Sequence, residues 1–458
     1  MRAHPGDRPV VGSPATGVGG RDGGIVGLHH DDGTPPYDVR RSDTDGIALV
    51  FPGPDAHIQH IDRPAFGPSH AAGACTVRKP ARRAHTAPWT GGSRDDWAAI
   101  PPTHVTGKRV TPADELAHTS TGPRGVATVT RPTPADKQVT ALVRDATAAP
   151  SMHNAQPWFF RYFRRSRTFE IHADQARAMP HSDPQNRGLH IGCGAALLNL
   201  EVAAAHEGLH PDTSLLPDPT DPALVATVRL THAAADWSGL GALYPAIHRR
   251  HTSRYPFGER EIPDAVREEL RAAADAEGAT LTFPTAWHLQ EVLELAREAE
   301  ARNATDRGAD EDLVRWTRTD AASVATADDG VPHYAFGPRR RGGKAPVRDF
   351  AGSRRVPGRE AADFEHHPQL ALVSTAHNRP EDWLRAGRAV ERVLLLATLG
   401  GLAGSFATQP LEWSDLRWPL RDPVAGTGYA QTLLRLGYGP QGPGAPRRPV
   451  SDVLDVQP

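Results

Sequence analysis

Two stretches, Ile191–Gly208 and Ala386–Leu402, restrict what this chain can fold into more than any other feature. The first is apolar almost all the way round a helix, through Ala195, Leu197, Leu198, Leu200, Val202, Ala203 and Ala204. A surface helix carries one apolar stripe, so a helix without a polar face belongs inside a core. The second stretch repeats the pattern. Gly194 and Gly208 stand fourteen residues apart, as do Gly387 and Gly401. Between them Leu200, Val202, Ala203 and Ala204 fall opposite Val393, Leu395, Leu396 and Ala397, and Leu209 and Leu402 close the two pairs. Two such helices can bury one another about a pseudo-two-fold axis. The spacing therefore predicts two related halves, for which 458 residues leave room.

Composition removes several classes of function. A formal net charge of −2 gives no field to gather nucleic acid or an anionic membrane. The two cysteines, Cys75 and Cys193, make neither a disulfide scaffold nor a zinc cluster. Cys193 reads as a small buried residue rather than a nucleophile. The apolar run around Gly194–Ala205 is interrupted by Asn199 and Glu201 and is too short and polar to span a bilayer. No basic start leads into a long apolar run, so no signal peptide is expected. The expectation is a soluble, cytoplasmic protein.

Residues 1–130 hold 18 Gly and 15 Pro, and no sustained hydrophobic period runs through them. Such a segment is expected to be a disordered extension without function. The alternative is that translation truly starts near Val126 or Val129. The nine histidines here match no metal-ligand spacing, and no metal site is expected.

From residue 131 the chain changes character. Thr133-Pro134-Ala135-Asp136 opens a helix with a hydroxyl cap, a proline and an acid, and Val139, Leu142, Val143 and Ala146 supply its apolar stripe. It must end before Pro150. Pro150-Ser-Met-His-Asn-Ala-Gln-Pro-Trp158 follows. Read as an extended segment, it turns the amides of Asn154 and Gln156 the same way, towards one planar polar ligand. Trp158–Phe163 is an aromatic strand, Thr168–Ala173 its hairpin partner, and Leu224–Leu230 a further strand. Arg164, Arg165 and Arg167 read as a solvated turn. Gly192-Cys-Gly194 lacks the strand–GxGxxG–helix order, which excludes a Rossmann motif.

In the second half, Ile247-His-Arg-Arg-His-Thr-Ser-Arg-Tyr-Pro-Phe257 is rich in groups that bind phosphate. Arg250 and Arg254 can fork onto phosphate oxygens, and the Thr252 hydroxyl adds a donor. Ile262–Gly278 reads as a surface helix, and Thr280–Phe283 and Gln369–Val373 as short buried strands. Residues 303–365 are acidic, then basic, and glycine-rich. They read as an inserted lid or mobile loop, and the cluster of Arg339–Arg341, Lys344 and Arg348 as a solvated loop, with contact to a cofactor phosphate as the alternative. Leu433–Gly439 is expected to be the last strand, followed by an arm at Pro446–Pro449.

The Pro-Ser-x-x-Asn-x-Gln-Pro-Trp pattern of residues 150–158 resembles the flavin-contacting segment of the FMN-dependent nitroreductases. From about residue 131 onward the chain resembles their Acg-like actinobacterial branch, in which two nitroreductase-type halves are fused. The run from Arg250 to Arg254 is similar to the Arg-Arg-Ser-x-Arg segment that grips the FMN phosphate, with His251 in place of the second arginine. Gly400–Leu411 resembles the glycine-rich turn whose backbone approaches the flavin N5 edge. The resemblance implies an α+β fold of two halves, 131–238 and 239–458, each with a mainly antiparallel sheet packed by helices around central core helices.

It further implies one composite FMN site across the internal interface, held by Ser151, Asn154, Gln156, Arg250, Thr252, Arg254, Gly404, Thr408, Gln409 and one or both of Arg447 and Arg448. NADPH or NADH would be the transient reductant, a nitro or quinone-like small molecule the acceptor, and no catalytic side chain is required because the flavin carries the chemistry. The chain would be a monomer that mimics the family's dimer, with no nucleic-acid or membrane partner. Two alternatives stay open: a protein that holds flavin with little or no turnover, and a duplicated interaction protein without a cofactor.

Overall fold

The computed structural model describes residues 136–232, 239–421 and 428–458, together with five strands nearer the N-terminus. The chain divides into two compact units, Met1–Ser120 and Thr121–Pro458. In the first unit β1 (Arg8–Val11) pairs antiparallel with β5 (Ala56–Gln59), while β2 (Gly23–Leu28), β3 (Tyr37–Arg41) and β4 (Ile47–Val50) form an antiparallel meander. These strands stand where the sequence led us to expect no structure. Runs such as Ile47-Ala-Leu-Val50 are short enough for the glycine and proline around them to mask their apolar character. The expectation for residues 60–130 lies outside the described residues.

The second unit begins with α1 (Asp136–Thr147), then the hairpin β6 (Trp158–Phe163) and β7 (Thr168–Ala173). α2 (Arg187–His206) follows, then β8 (Leu209–Leu215) and β9 (Leu224–His232). Alternation along β6 sends Trp158, Phe160 and Tyr162 into the core, where each is fully buried. Burying a side chain such as Phe160 contributes about 1.5–3 kcal/mol.

The rest of the unit starts with α3 (Asp264–Asp275) and β10 (Thr280–Thr282). An insertion then carries α4 (Ala286–Asn303), α5 (Arg307–Arg315), β11 (Thr317–Arg318), α6 (Ala321–Ala325), β12 (Val331–Pro332), β13 (Arg339–Gly342) and β14 (Ala361–Asp363). β15 (Gln369–Thr375), α7 (Pro380–Leu399) and β16 (Ala403–Phe406) come next, and then α8 (Gln409–Glu412), α9 (Ser414–Arg417) and β17 (Tyr429–Gly437). α10 (Val450–Val453) and β18 (Leu454–Gln457) close the fold. The stretch read as an inserted lid or mobile loop thus carries short regular elements joined by turns and irregular segments. Val331, Phe336, Phe350 and Ala351 form a small buried cluster of its own.

The two sheets share one topology. In the first, the order is β6-β7-β9-β8; in the second, β10-β15-β17-β16, with every pairing antiparallel. In each case a helix precedes the first strand, and the long core helix joins the second strand to the third. α2 and α7 cross at their glycines. A Cβ on Gly194 would run into the Leu384 carbonyl oxygen, and one on Gly387 into that of Ile191. β18, which follows the second sheet in the chain, pairs parallel with β6 and extends the first sheet to five strands.

α2 has the length and apolarity of a membrane span, but nearly all of it is buried in this core. Cys193 sits within α2 with its thiol on the Pro157 carbonyl, and burial pushes its pKa up, away from reactivity.

Candidate functional site

The segment between α1 and β6 is not extended. Met152–Asn154 makes a single 3-10 turn, and His153, Asn154 and Gln156 all have positive φ, at 47°, 57° and 52°. The Ser151 hydroxyl accepts from the Gln156 N–H at 2.9 Å and its carbonyl accepts from the Asn154 N–H at 3.0 Å, which closes the turn. Gly192 of α2 makes room for this turn, since a Cβ there would press on Ser151 and Pro157. That close approach, rather than a phosphate loop, accounts for the glycine at this position.

The turn changes where the two amides point. Asn154 lines a cleft of about 1230 Å³, its open mouth included. Its amide nitrogen donates to the Gly330 and Pro446 carbonyls, and its oxygen accepts from Arg447 Nη1 at 2.8 Å. Gln156 is fully buried behind the cleft: its nitrogen donates to the Asp328 carbonyl, and its oxygen accepts from the Arg448 N–H. The shared orientation expected of an extended strand is therefore absent, and only the first amide is at the cleft.

Arg250, His251, Thr252 and Arg254 line the same cleft from the second half, and Arg447 from the arm after β17. A parallel bridge between Thr252 and Gly404, with the Ser253 N–H on the Gly404 carbonyl at 2.8 Å, fixes the basic segment against β16. Gly404 itself is outside the cleft. It packs on Leu394, so it positions Thr252 rather than meeting a ligand. Thr408 is at the cleft wall. Gln409 is buried elsewhere with its amide on Glu300, and Arg448 points back at Gln156 and Trp158. Of the two tail arginines, only Arg447 reaches the cleft.

Charge at this end of the cleft is unbalanced. Arg250 Nη2 donates to the Ala148 carbonyl at 2.8 Å and Arg447 Nη2 donates to the same oxygen at 3.1 Å, so the two guanidiniums converge just beyond the C-terminus of α1. Arg254 donates to the Ala335 carbonyl and lies 4.5 Å over the Phe350 ring. Burial pulls Arg254 and Arg447 down to about 10, which leaves both charged at neutral pH. Against Arg250 and Arg447 stands one buried carboxylate, Glu391, whose Oε1 is 3.3 Å from Arg250 Nε. A net positive charge in a half-buried cleft suits an anion such as a phosphate monoester. Burial also lowers the pKa of His251, aided by Arg250 and Arg447, so it offers a neutral ring rather than a further cation.

Arg348 and Phe350 of the insertion also line the cleft, although the sequence favours a solvated loop over a cofactor phosphate contact for the basic cluster there. Arg348 is largely withdrawn from solvent in an ion pair with Glu412 and donates to His153 Nε2 at 3.3 Å. The remaining basic residues of that cluster, Arg339–Arg341 and Lys344, are exposed as expected. Nothing in the sequence ties His153 to Arg348 across nearly two hundred positions. Among the described residues no cluster of His, Cys, Asp or Glu is placed to hold a metal ion.

The chain belongs to the NAD(P)H nitroreductase family, in its Acg-like branch. It is 31% identical over 337 residues to the "Putative NAD(P)H nitroreductase Rv3131" of Mycobacterium tuberculosis, covering 72% of this chain and 95% of that one. It is 29% identical over 328 residues to the "Putative NAD(P)H nitroreductase acg" of the same organism, covering 70% and 96%. Among solved structures it is similar to the FMN- and NADPH-dependent nitroreductase NfnB of a Sphingopyxis strain, with 16% identity, a TM-score of 0.29, and coverage of 47% of this chain and 99% of that one. A separate family model, Domain of unknown function (DUF1918), matches residues 1–58.

Proposed function

We propose that the chain is a flavoprotein oxidoreductase that holds one FMN in this cleft and passes electrons from NAD(P)H to a nitro or quinone-like small molecule. The observation that carries the reading is the convergence of Arg250 and Arg447 on the Ala148 carbonyl, in a cleft that Thr252, Arg254 and Asn154 also line. Arg250, Arg447 and Thr252 would hold the phosphate; Asn154, His153 and Thr408 would border the ring. Flavin, when bound, supplies hydride transfer, so the protein's part is to bind, orient and shield. The fit is to one site. The α1–β6 connection that carries Asn154 runs from 148 to 157, whereas its counterpart between α3 and β10 is only 276–279 and holds no amide. The matching strand orders support reading 131–238 and 239–458 as halves of an internal duplication, with an insertion in the second. A long apolar helix spent on the core is in keeping with a soluble protein.

A second reading, flavin held with little turnover, is favoured by the insertion. Val331, Arg348 and Phe350 wall the cleft, and the turn at Asp328–Gly330 is bonded to both Asn154 and Gln156. One experiment tests both. The purified protein should be yellow, and a colourless protein that takes up no FMN would overturn either reading. Mixed anaerobically with NADPH, an oxidoreductase loses its flavin band within the mixing experiment, whereas a holding protein keeps it.

A further inference from the structure

One group at the cleft has no part in the function above. Glu391 projects from α7 with no solvent exposure, and neither of its oxygens has a well-formed hydrogen bond. The groups that face it are Arg250 from the segment before α3, Arg447 from the arm, and the amide of Asn199 from α2. Asn199 is equally buried and equally short of partners. A buried carboxylate on a core helix is costly unless something nearby uses its charge.

The paired helices show what the position would otherwise hold. Glu391 lies four residues after Gly387, and four residues after Gly194 stands Leu198. Leu198 is fully buried in an apolar cluster with Leu240, Leu243, Ile247 and Leu395. The core therefore accepts leucine on one side of the crossing and on the other keeps a carboxylate, which lies behind the cleft wall against Arg250. Arg250 is its sole direct ion-pair partner among the described residues, and Arg250 is also one of the cations that would take a phosphate.

We propose that Glu391 is the resident counter-ion of the phosphate end of the cleft: it holds Arg250 until the phosphate of FMN arrives, then gives the guanidinium up. This rests on the reading that FMN seats its phosphate at Arg250 and Arg447. Glu391 acts through Arg250 and is a positioning residue, not a catalytic one. A carboxylate and a phosphate dianion around the same buried guanidinium repel each other, so seating the phosphate favours the neutral acid, and a proton enters from solvent with the cofactor. Burial already pushes the Glu391 carboxyl up, against the pull of Arg250 first and Arg447 after it. Binding that takes up a proton weakens as pH rises, which gives cofactor exchange a dependence on pH.

The test compares FMN with riboflavin, which lacks the phosphate, on the wild-type chain and on Glu391→Gln at a pH of about 8, where the phosphate is fully ionised. Titration calorimetry in two buffers of different ionisation enthalpy reads the affinity and the protons taken up. The FMN-to-riboflavin affinity ratio should rise about tenfold or more in the variant, the scale of one charge-assisted contact. Proton uptake should accompany FMN on the wild type and be lost in the variant. A ratio that stays the same or falls, or equal proton uptake by both proteins, would overturn the proposal while leaving the FMN site intact. A wild-type chain that binds neither flavin overturns the site and the proposal together. Glu391→Leu, which copies the residue at position 198, carries the same test if the glutamine variant does not fold.

Discussion

Gly194 and Gly387 are each other's counterparts at the crossing of α2 and α7: the first lies against the carbonyl of Leu384, three residues before the second, and the second against the carbonyl of Ile191, three before the first. That reciprocity brings the two backbones closer than any side chain would allow. It holds the walls of the cleft in register, because Gly188, Ile191, Gly192 and Ala195 of α2 and Val390 of α7 line it.

Alanine at either crossing glycine should therefore force the helices apart. Overpacking of this kind costs about 1–3 kcal/mol, and it should appear as a lower melting temperature for both Gly194→Ala and Gly387→Ala. Gly208 is the control. It has φ of 72° and nothing near its Cβ position, so Gly208→Asn should leave the melting temperature almost unchanged.

Arg447 and Arg448 are adjacent but should behave differently. Arg447 meets Asn154, the carbonyls at the end of α1 and the cleft, while Arg448 holds Gln156 and Trp158 behind it. Arg447→Ala should weaken FMN binding by about 10- to 100-fold, measured by quenching of flavin fluorescence. Arg448→Ala should lower stability and leave the dissociation constant within about twofold.

His153 is buried against Phe350 and Arg348, and burial first, then the charges of Arg348 and Arg254, hold its pKa well below the ordinary value. Below about 6.5 an unfolded chain binds a proton at this residue that the folded one refuses. Protonation thus favours unfolding. The contribution is nil above that pH and grows as pH falls towards the folded value, by about 1.4 kcal/mol per unit. His153→Asn keeps a residue that tolerates the left-handed backbone here. Melting curves at a pH of about 7.5 and about 5.5 should show the wild type losing more stability than this variant.

Asp329 bridges Arg177 of the first half and Arg318 of the insertion. Removing a partly buried carboxylate from between two guanidiniums takes from Arg318 its ion pair and leaves Arg177 only the longer one to Asp174. Asp329→Ala should speed amide exchange across residues 317–332 relative to α7, read by mass spectrometry. Equal exchange in the two proteins would show that the turn is held by Asn154 and Gln156 alone.

Much of this fold could be read from residue order, and the exceptions have physical causes. β6 and β7 fall where aromatic and β-branched alternation puts them, and the paired glycines mark both the helix crossing and, at Gly208 and Gly401, the left-handed residues that follow the helix ends. β8 was hidden by Pro211, which an edge strand tolerates without a lost ladder bond. β18 was hidden because four residues, two of them polar, carry no pattern until β6 is there to pair with.

At the site, charge was legible and backbone was not. Arg250, Thr252 and Arg254 are singled out by residue type and all line the cleft, whereas residue type does not separate Arg447 from Arg448. The positive φ of His153, Asn154 and Gln156 does not follow from residue type, so a turn was read as a strand and Gln156 was placed at a surface it never reaches.

The arm that carries Arg447 and ends in β18 has a consequence for biosynthesis. As the ribosome releases this protein, the first half emerges long before the strand that finishes its sheet and the arginine that finishes its cleft. Until then β6 is an exposed edge, open to pairing with a neighbouring nascent chain. Pairing with β18 is what retires that hazard.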